Sequence, residues 1–165
     1  MTKLLPLSSA HAVDVENLLD DAFGADRHRR TAYLLRQGMT VIDHLSFAIM
    51  DESQLVATIQ CWPISVNGAP LILVGPVAVS PERQNQRLGQ TLMNAMLTAV
   101  LPSDAPMAMI GDPEYYGRFG FSADGTNGWT LPGPWEPRRL LLRNPSNSEL
   151  PEAGMVGPRL PDSAL

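Results

Sequence analysis

The sequence predicts a mixed α/β fold, with antiparallel strands first and one parallel crossover later. Three observations predict it. Apolar runs at 45–50, 55–66 and 70–79 are separated by Asp51-Glu52-Ser53 and by Asn67-Gly68, which reads as a strand meander with tight turns. Residues 87–100 then place Leu88, Leu92, Ala95, Met96, Ala99 and Val100 at helical spacing. A short apolar run, 107–110, follows, and a strand, a crossover helix and another strand imply a parallel pair.

The remaining elements follow in order. Lys3 to Leu7 reads as a short strand, and Ser8 and Ser9 offer caps for a helix over 11–23, whose apolar positions are 12, 15, 18, 19, 22 and 23. Gly24 ends that helix, and Asp26 can cap a second, short one reaching about Gln37. The strand over 55–66 is expected to break near Pro63. Asp112-Pro113 has the cap and first-position chemistry of a helix start, leading through Tyr115, Tyr116 and Arg118 to Phe119-Gly120-Phe121. Residues 122–137 are rich in Gly and Pro and hold Trp129 and Trp135, which we read as pinning the loop rather than lining a pocket. Residues 138–143 are the last strand candidate. Residues 1–143 read as a single domain, and 144–165 as an irregular Pro-rich tail.

Composition narrows the function classes. The chain has 165 residues, 44% hydrophobic and 18% charged, which suits a packed domain rather than a disordered chain. A net charge of -5 argues against a nucleic-acid binder, which usually carries a basic face. The lone cysteine, Cys61, lies in an apolar run and reads as a buried small hydrophobe, with no disulfide framework open to it. No apolar run approaches the length of a membrane span, and the Leu4-Leu5-Pro6-Leu7 patch is too short for a signal-peptide core. A cytoplasmic protein with no membrane partner is therefore expected. GxxxxGK[ST], GxG, HExxH and CxxC are all missing, so neither a usual nucleotide cradle nor a recognisable metal site is expected; His11, His28 and His44 are scattered.

What remains is the stretch VAVSPERQNQRLGQTLMNAM, residues 77–96: a strand, a polar loop and a helix start. A helix N-terminus presents unpaired N–H groups and partial positive charge, and a loop wrapped ahead of it can aim further N–H groups inward. Together they can cradle a phosphate, with Arg83 and Arg87 as added charged donors. The loop Gln84-Asn85-Gln86-Arg87-Leu88-Gly89 resembles the [Q/R]-x-x-G-x-[G/A] pyrophosphate loop of the GCN5-related N-acetyltransferases (GNAT). Val74 to Val79 resembles that family's fourth strand, and Gly111 to Phe121 its Y-x-x-x-G-F helix and exit strand. The combination of LVGPVAV with GDPEYYGRFGF is most similar to a bacterial branch of predicted N-acetyltransferases. The resemblance covers residues 3–121 and, more loosely, runs on to 143. One departure stands out: the first motif glycine is Arg87 here, and Gly89 alone is retained.

The resemblance implies a mixed, mostly antiparallel sheet of about six to seven strands with helices on both faces, opened into a V between the fourth and fifth strands. It implies acetyl transfer from acetyl-CoA to a primary amine, on a small molecule or a peptide, by direct attack in a ternary complex without a metal. Gln84, Asn85, Gln86, Arg87, Leu88, Gly89 and Gln90 match the diphosphate loop. Val77, Ala78 and Val79 match the strand that pairs with pantetheine, and a backbone N–H near Val77 or Ala78 the oxyanion donor. Tyr116 matches the acid that protonates the departing thiolate; a tyrosine, with an ordinary pKa of about 10, is protonated at neutral pH. His44, Glu82, Asp112 and Glu114 are candidates by type for the base, beside a water relay or an amine that arrives neutral. A homodimer is a common arrangement in such families. Two rivals stay open: a CoA-binding sensor or structural module without catalysis, and an acyltransferase for a longer acyl-CoA or another acceptor atom.

Overall fold

The computed structural model describes residues 1–159. The strands join in one open sheet of eight, in the order β1-β2-β3-β4-β5-β7, with β8 on β3 and β6 on β8. They are β1 (Thr2–Pro6), β2 (Phe47–Asp51), β3 (Gln54–Val66), β4 (Ala69–Val79), β5 (Met107–Ile110), β6 (Gly128–Thr130), β7 (Leu140–Arg143) and β8 (Ala153–Pro158). The helices are α1 (Ala12–Phe23), α2 (Thr31–Leu35), α3 (Leu88–Thr98) and α4 (Pro113–Tyr116). Most pairings are antiparallel. The crossover through α3 makes β4 and β5 parallel, as the sequence predicts. The residues divide into two compact units.

The first unit comprises Met1–His28, Val41–Cys61 and Gly75–Pro102. Here β1 pairs antiparallel with β2, and β2 with the first part of β3, across a register shift at Ile49/Met50. Leu7 to Ser9 forms a 3-10 turn, so the N-cap of α1 falls at His11 and not at either serine. Val15, Leu18 and Leu19 of α1 pack with Leu7, Ala48, Leu55 and Ala78. Each large side chain buried in this way contributes about 1.5–3 kcal/mol. Gly24, at φ 95°, ends α1, and its N–H donates to the Asp20 carbonyl. Helix α3 packs against β2 and buries Leu88, Leu92 and Met96 of the expected stripe, with Met93 in addition, while Ala95, Ala99 and Val100 are half-buried. Cys61 is fully buried and its N–H donates to the Ser46 hydroxyl.

The second unit comprises, among the described residues, Arg29–Thr40, Trp62–Val74 and 103–159. Its core gathers Leu35 of α2, Ile64, Leu71, Leu73, Ala108 and Leu140 around Trp129. The Trp129 indole N–H donates to the Pro151 carbonyl at 2.8 Å, and Trp135 packs against the same core, so both tryptophans pin the loop. The expected helix from Asp26 to Gln37 is shorter: a 3-10 turn at Arg27–Arg29, then α2. Pro63 does not break β3, which runs on through it, and the Pro63 carbonyl still accepts the Arg159 N–H.

The largest correction concerns the tail, which is not irregular throughout. Residues 153–158 form β8, antiparallel to β3 at Ile64–Val66 and parallel to β6. Arg159 extends that anchorage, donating to the carbonyls of Ile64 at 3.2 Å and Leu71 at 2.6 Å. These two strands, β6 and β8, bring the count above the expected range. The part of the expected tail from residue 160 lies outside the described residues.

Candidate functional site

In the first unit, the residues singled out by the strand, loop and helix come together. The loop leaves β4 through a 3-10 turn at Pro81–Arg83, whose proline and acidic residue suit a turn start. It then takes two left-handed residues, Asn85 at φ 71° and Arg87 at φ 59°. Asparagine tolerates that region, whereas arginine is held there at a cost of about 1–2 kcal/mol. The left-handed Arg87 is the N-cap of α3, with its backbone carbonyl taking the Thr91 N–H at 3.0 Å. No side chain caps α3, so the N–H groups of its first turn, Leu88 to Gln90, are the orphan donors of a helix start. The Gln84 side-chain amide donates back to the Val79 carbonyl at 3.1 Å and so ties the loop to the strand end.

The two arginines of this region differ in their surroundings. The Arg87 side chain is exposed. Arg83 pairs with Asp51 at 2.7 Å. That pair, with the N-terminal ammonium group, holds the Asp51 carboxyl below its ordinary value. Gly89 has a bare Cα with room beside it: an added Cβ would meet only Val77 Cγ1, at 3.7 Å. Val77 and Val79 are half-buried and Ala78 is buried in the core of this unit. Strand β4 reaches them through the cis Gly75-Pro76 bond, with Gly75 at φ 131° and Pro76 offering no donor. Before that point, β4 and β5 share two register pairs, Ile72↔Met107 and Leu73↔Ala108.

In the second unit, Tyr116 sits on α4 where the sequence expects it. The Asp112 carboxylate caps the helix, accepting the Glu114 N–H at 3.1 Å, and Pro113 takes the first position. Tyr116 stacks edge-on with Tyr115, ring centroids 4.9 Å apart. Burial, the dominant cause, pushes the Tyr116 phenol above its ordinary value; Tyr115 and Asp112 push the same way and Arg139 opposes them. A proton is therefore held firmly on this oxygen at neutral pH. Gly120, at φ 88°, turns the chain out of the helical segment, and the Arg143 side chain donates to the Phe119 carbonyl beside it.

The model of the acetyltransferase (GNAT) domain matches residues 4–123. The chain belongs to the GNAT acetyltransferase family. Its fold is that of solved members at low identity. A GNAT family N-acetyltransferase from Escherichia coli (YhbS), in complex with CoA, is 20% identical with a TM-score of 0.68, over 95% of this chain and 88% of that one. A GNAT family acetyltransferase from Brucella melitensis, in complex with acetyl-CoA, is 19% identical with a TM-score of 0.58, over 90% and 99%. Naa50 from Arabidopsis thaliana, in complex with the bisubstrate analogue CoA-Ac-MVNAL, is 15% identical with a TM-score of 0.54, over 86% and 95%. No curated protein matches the chain.

Within this GNAT domain, two of the four candidate bases already have other work. Asp112 is the cap of α4, and its carboxyl is held below the usual range, first by the Glu114 side chain and then by the Glu114 N–H. Glu114 pairs with Arg138. Glu82 and His44 are exposed, the first in the turn after β4 and the second in a 3-10 turn at Asp43–Leu45. Among the described residues no cluster of His, Cys, Asp and Glu is set to hold a metal ion, and no helix is long and apolar enough to cross a membrane. Sequence reasoning missed Gly111, whose importance lies in what packs on it, and the Arg83–Asp51 pair, which joins residues far apart in the chain.

Proposed function

We propose that residues 1–143, with β8 of the tail completing the sheet, form one acetyltransferase domain that moves an acetyl group from acetyl-CoA to a primary amine, on a small molecule or a peptide, by direct attack in a ternary complex. The observation that carries this is the α3 start: an uncapped helix whose donors follow a doubly left-handed loop, with a bare Cα at Gly89 that nothing in the protein requires. Uncapped first-turn N–H groups next to a position without a side chain suit a diphosphate, which needs close approach of the backbone. Bound CoA and acetyl-CoA in the Escherichia coli and Brucella melitensis proteins, and a peptide-like acceptor on Naa50, support the same reading.

Acetyl-CoA would supply the activated acyl group as a thioester. This chain's residues supply the rest. Backbone N–H groups from Gln84 to Gln90 bind the diphosphate, and Arg87 adds a charge at the rim without entering the cradle. Val77, Ala78 and Val79 offer a strand edge to pantetheine, and a backbone N–H near Val77 or Ala78 receives the negative charge that develops on the acyl oxygen. Tyr116 holds the proton that the departing sulfur takes, and its raised phenol keeps that proton in place until the carbon–sulfur bond breaks. With Asp112 and Glu114 engaged, deprotonation of the amine falls to Glu82, His44, a water relay or the solvent. A cytoplasmic location and a homodimer complete the reading.

The test is a thiol-release assay with acetyl-CoA over a broad panel of amines and peptides, beside direct measurement of CoA binding. Turnover with one amine class supports the enzyme. CoA binding with no turnover across the panel favours a sensor, a reading to which the engaged carboxylates of Asp112 and Glu114 lend weight. Failure to bind CoA excludes both.

A further inference from the structure

Gly111 directly follows β5 and is buried. Its φ is not in the left-handed region, so the backbone does not require a glycine there. Space does. A Cβ at 111 would lie 2.7 Å from Cε2 and 2.8 Å from Cδ2 of the Tyr116 ring, well inside contact distance. The Cδ2–Cε2 edge of the ring lies against the bare Cα. The Gly111 N–H donates to the Arg139 carbonyl at 2.9 Å, which locks that Cα to the start of β7. Tyr115 closes another side of the ring, edge-on, and Phe119 lies with its centroid 6.3 Å away. The Asp112 cap fixes the helix that carries the tyrosine. Backbone, cap and packing thus converge on one side chain.

We propose that Gly111, held by the Arg139 carbonyl, is the positioning residue for Tyr116, setting where the phenol stands. This rests on the reading of Tyr116 as the proton donor. Gly111→Ala is a sparing probe, since alanine tolerates the backbone conformation and the added methyl group meets the tyrosine ring, with Met109 Cε next at 3.4 Å. The ring must move for the methyl group to fit. A displacement of about 1 Å at a reacting group lowers turnover on the order of 10- to 100-fold.

The experiment is a two-by-two cycle of Gly111→Ala and Tyr116→Phe, with kcat, KM for acetyl-CoA and an ultraviolet titration of the phenol measured on each protein. Gly111→Ala is expected to lower kcat at least tenfold with KM for acetyl-CoA unchanged, and to add little once Tyr116 is phenylalanine. An equal loss in both backgrounds overturns the proposal, because Gly111 would then act by another route. The titration separates this proposal from the functional reading. The difference between the proteins with and without the Tyr116 phenol isolates its midpoint, which Gly111→Ala should move down toward ordinary tyrosine as the ring loses burial. A shifted midpoint with no effect of Tyr116→Phe on kcat supports the positioning and refutes the acid role. An unshifted midpoint overturns the positioning, whatever the kinetics.

Discussion

Gly89 and Gly111 are both glycines at the edge of a helical segment, and they are glycines for opposite reasons. Beside Gly89 there is room: a methyl group would make ordinary contact with Val77. Beside Gly111 there is none, because the Tyr116 ring fills the place of the methyl group. The difference separates two ways of building a site. In the proposed site the α3 start works through its backbone, with Arg87 exposed and Arg83 paired to Asp51, so its glycine would keep a surface open to a ligand. The α4 segment delivers one side chain, so its glycine is filled from within by the group it positions.

The sharpest way to break this contrast is Tyr116→Phe. If the α4 segment exists to deliver a phenol, removing the oxygen should lower kcat on the order of 100-fold and leave CoA affinity unchanged. The pH profile gives a second check. Burial raises the phenol, so its protonated form persists above the ordinary value of about 10 and the wild-type profile should show no loss of kcat from this group up to that pH. A comparable loss of CoA affinity in Tyr116→Phe would mean that the ring only supports the binding surface.

Gly89→Ala tests the other side. The φ of Gly89 is ordinary for a helix and the neighbouring space is open, so alanine should raise stability by about 0.5–1 kcal/mol, as it does inside helices generally. The same methyl group would stand among the first-turn donors of α3, and CoA affinity should fall about tenfold, a loss of close to 1.4 kcal/mol. Thermal unfolding and calorimetric titration on one sample would show stability and binding moving in opposite directions. Affinity that is unchanged would remove the α3 start from the diphosphate site.

Arg87→Gly is expected to have a smaller effect. Arginine at φ 59° is strained where glycine is not, and part of that relief returns to the unfolded chain as entropy. A net gain of about 0.5–1 kcal/mol in unfolding free energy is expected. The lost charge should weaken CoA binding by no more than a few-fold, with a shallower dependence on salt. A large loss of affinity would show that the guanidinium does more than stand at the rim.

These contrasts were only partly legible in the sequence, and the division has a physical cause. Local chemistry was readable: Met107–Ile110 is the predicted strand, Asp112-Pro113 is the predicted helix start and Asn67-Gly68 is the predicted hairpin turn, at φ 45° and 82°. Each is fixed by residues within a few positions of itself. Strand β8 was hidden because Gly154, Gly157 and Pro158 lower its local strand signal, while its pairing partners lie in β3 and β6. The place of Arg87 in the motif was visible, and its left-handed backbone was not, since that conformation is set by the turn as a whole. Gly111 was visible only as the first residue of the Gly111 to Phe121 segment; the ring packed beside it lies five residues on, and that contact is set by the fold of the segment.

The smallest effect is expected at Arg83, the arginine that the sequence placed beside Arg87 as a phosphate ligand. Its guanidinium is held by Asp51, so Arg83→Gln should leave CoA affinity unchanged where Arg87→Gly lowers it slightly. What Arg83→Gln should change is the response to acid. The Asp51 carboxyl is depressed in the folded protein, chiefly by this arginine, so the stabilisation is present above the ordinary carboxylate pKa and is lost as the pH falls through the depressed one. The two proteins should therefore differ slightly in Tm near neutral pH and converge in acid, and added salt should shrink the neutral difference as it does for exposed pairs. A drop in CoA affinity with no such convergence would return Arg83 to the phosphate site and leave the Asp51 contact as incidental.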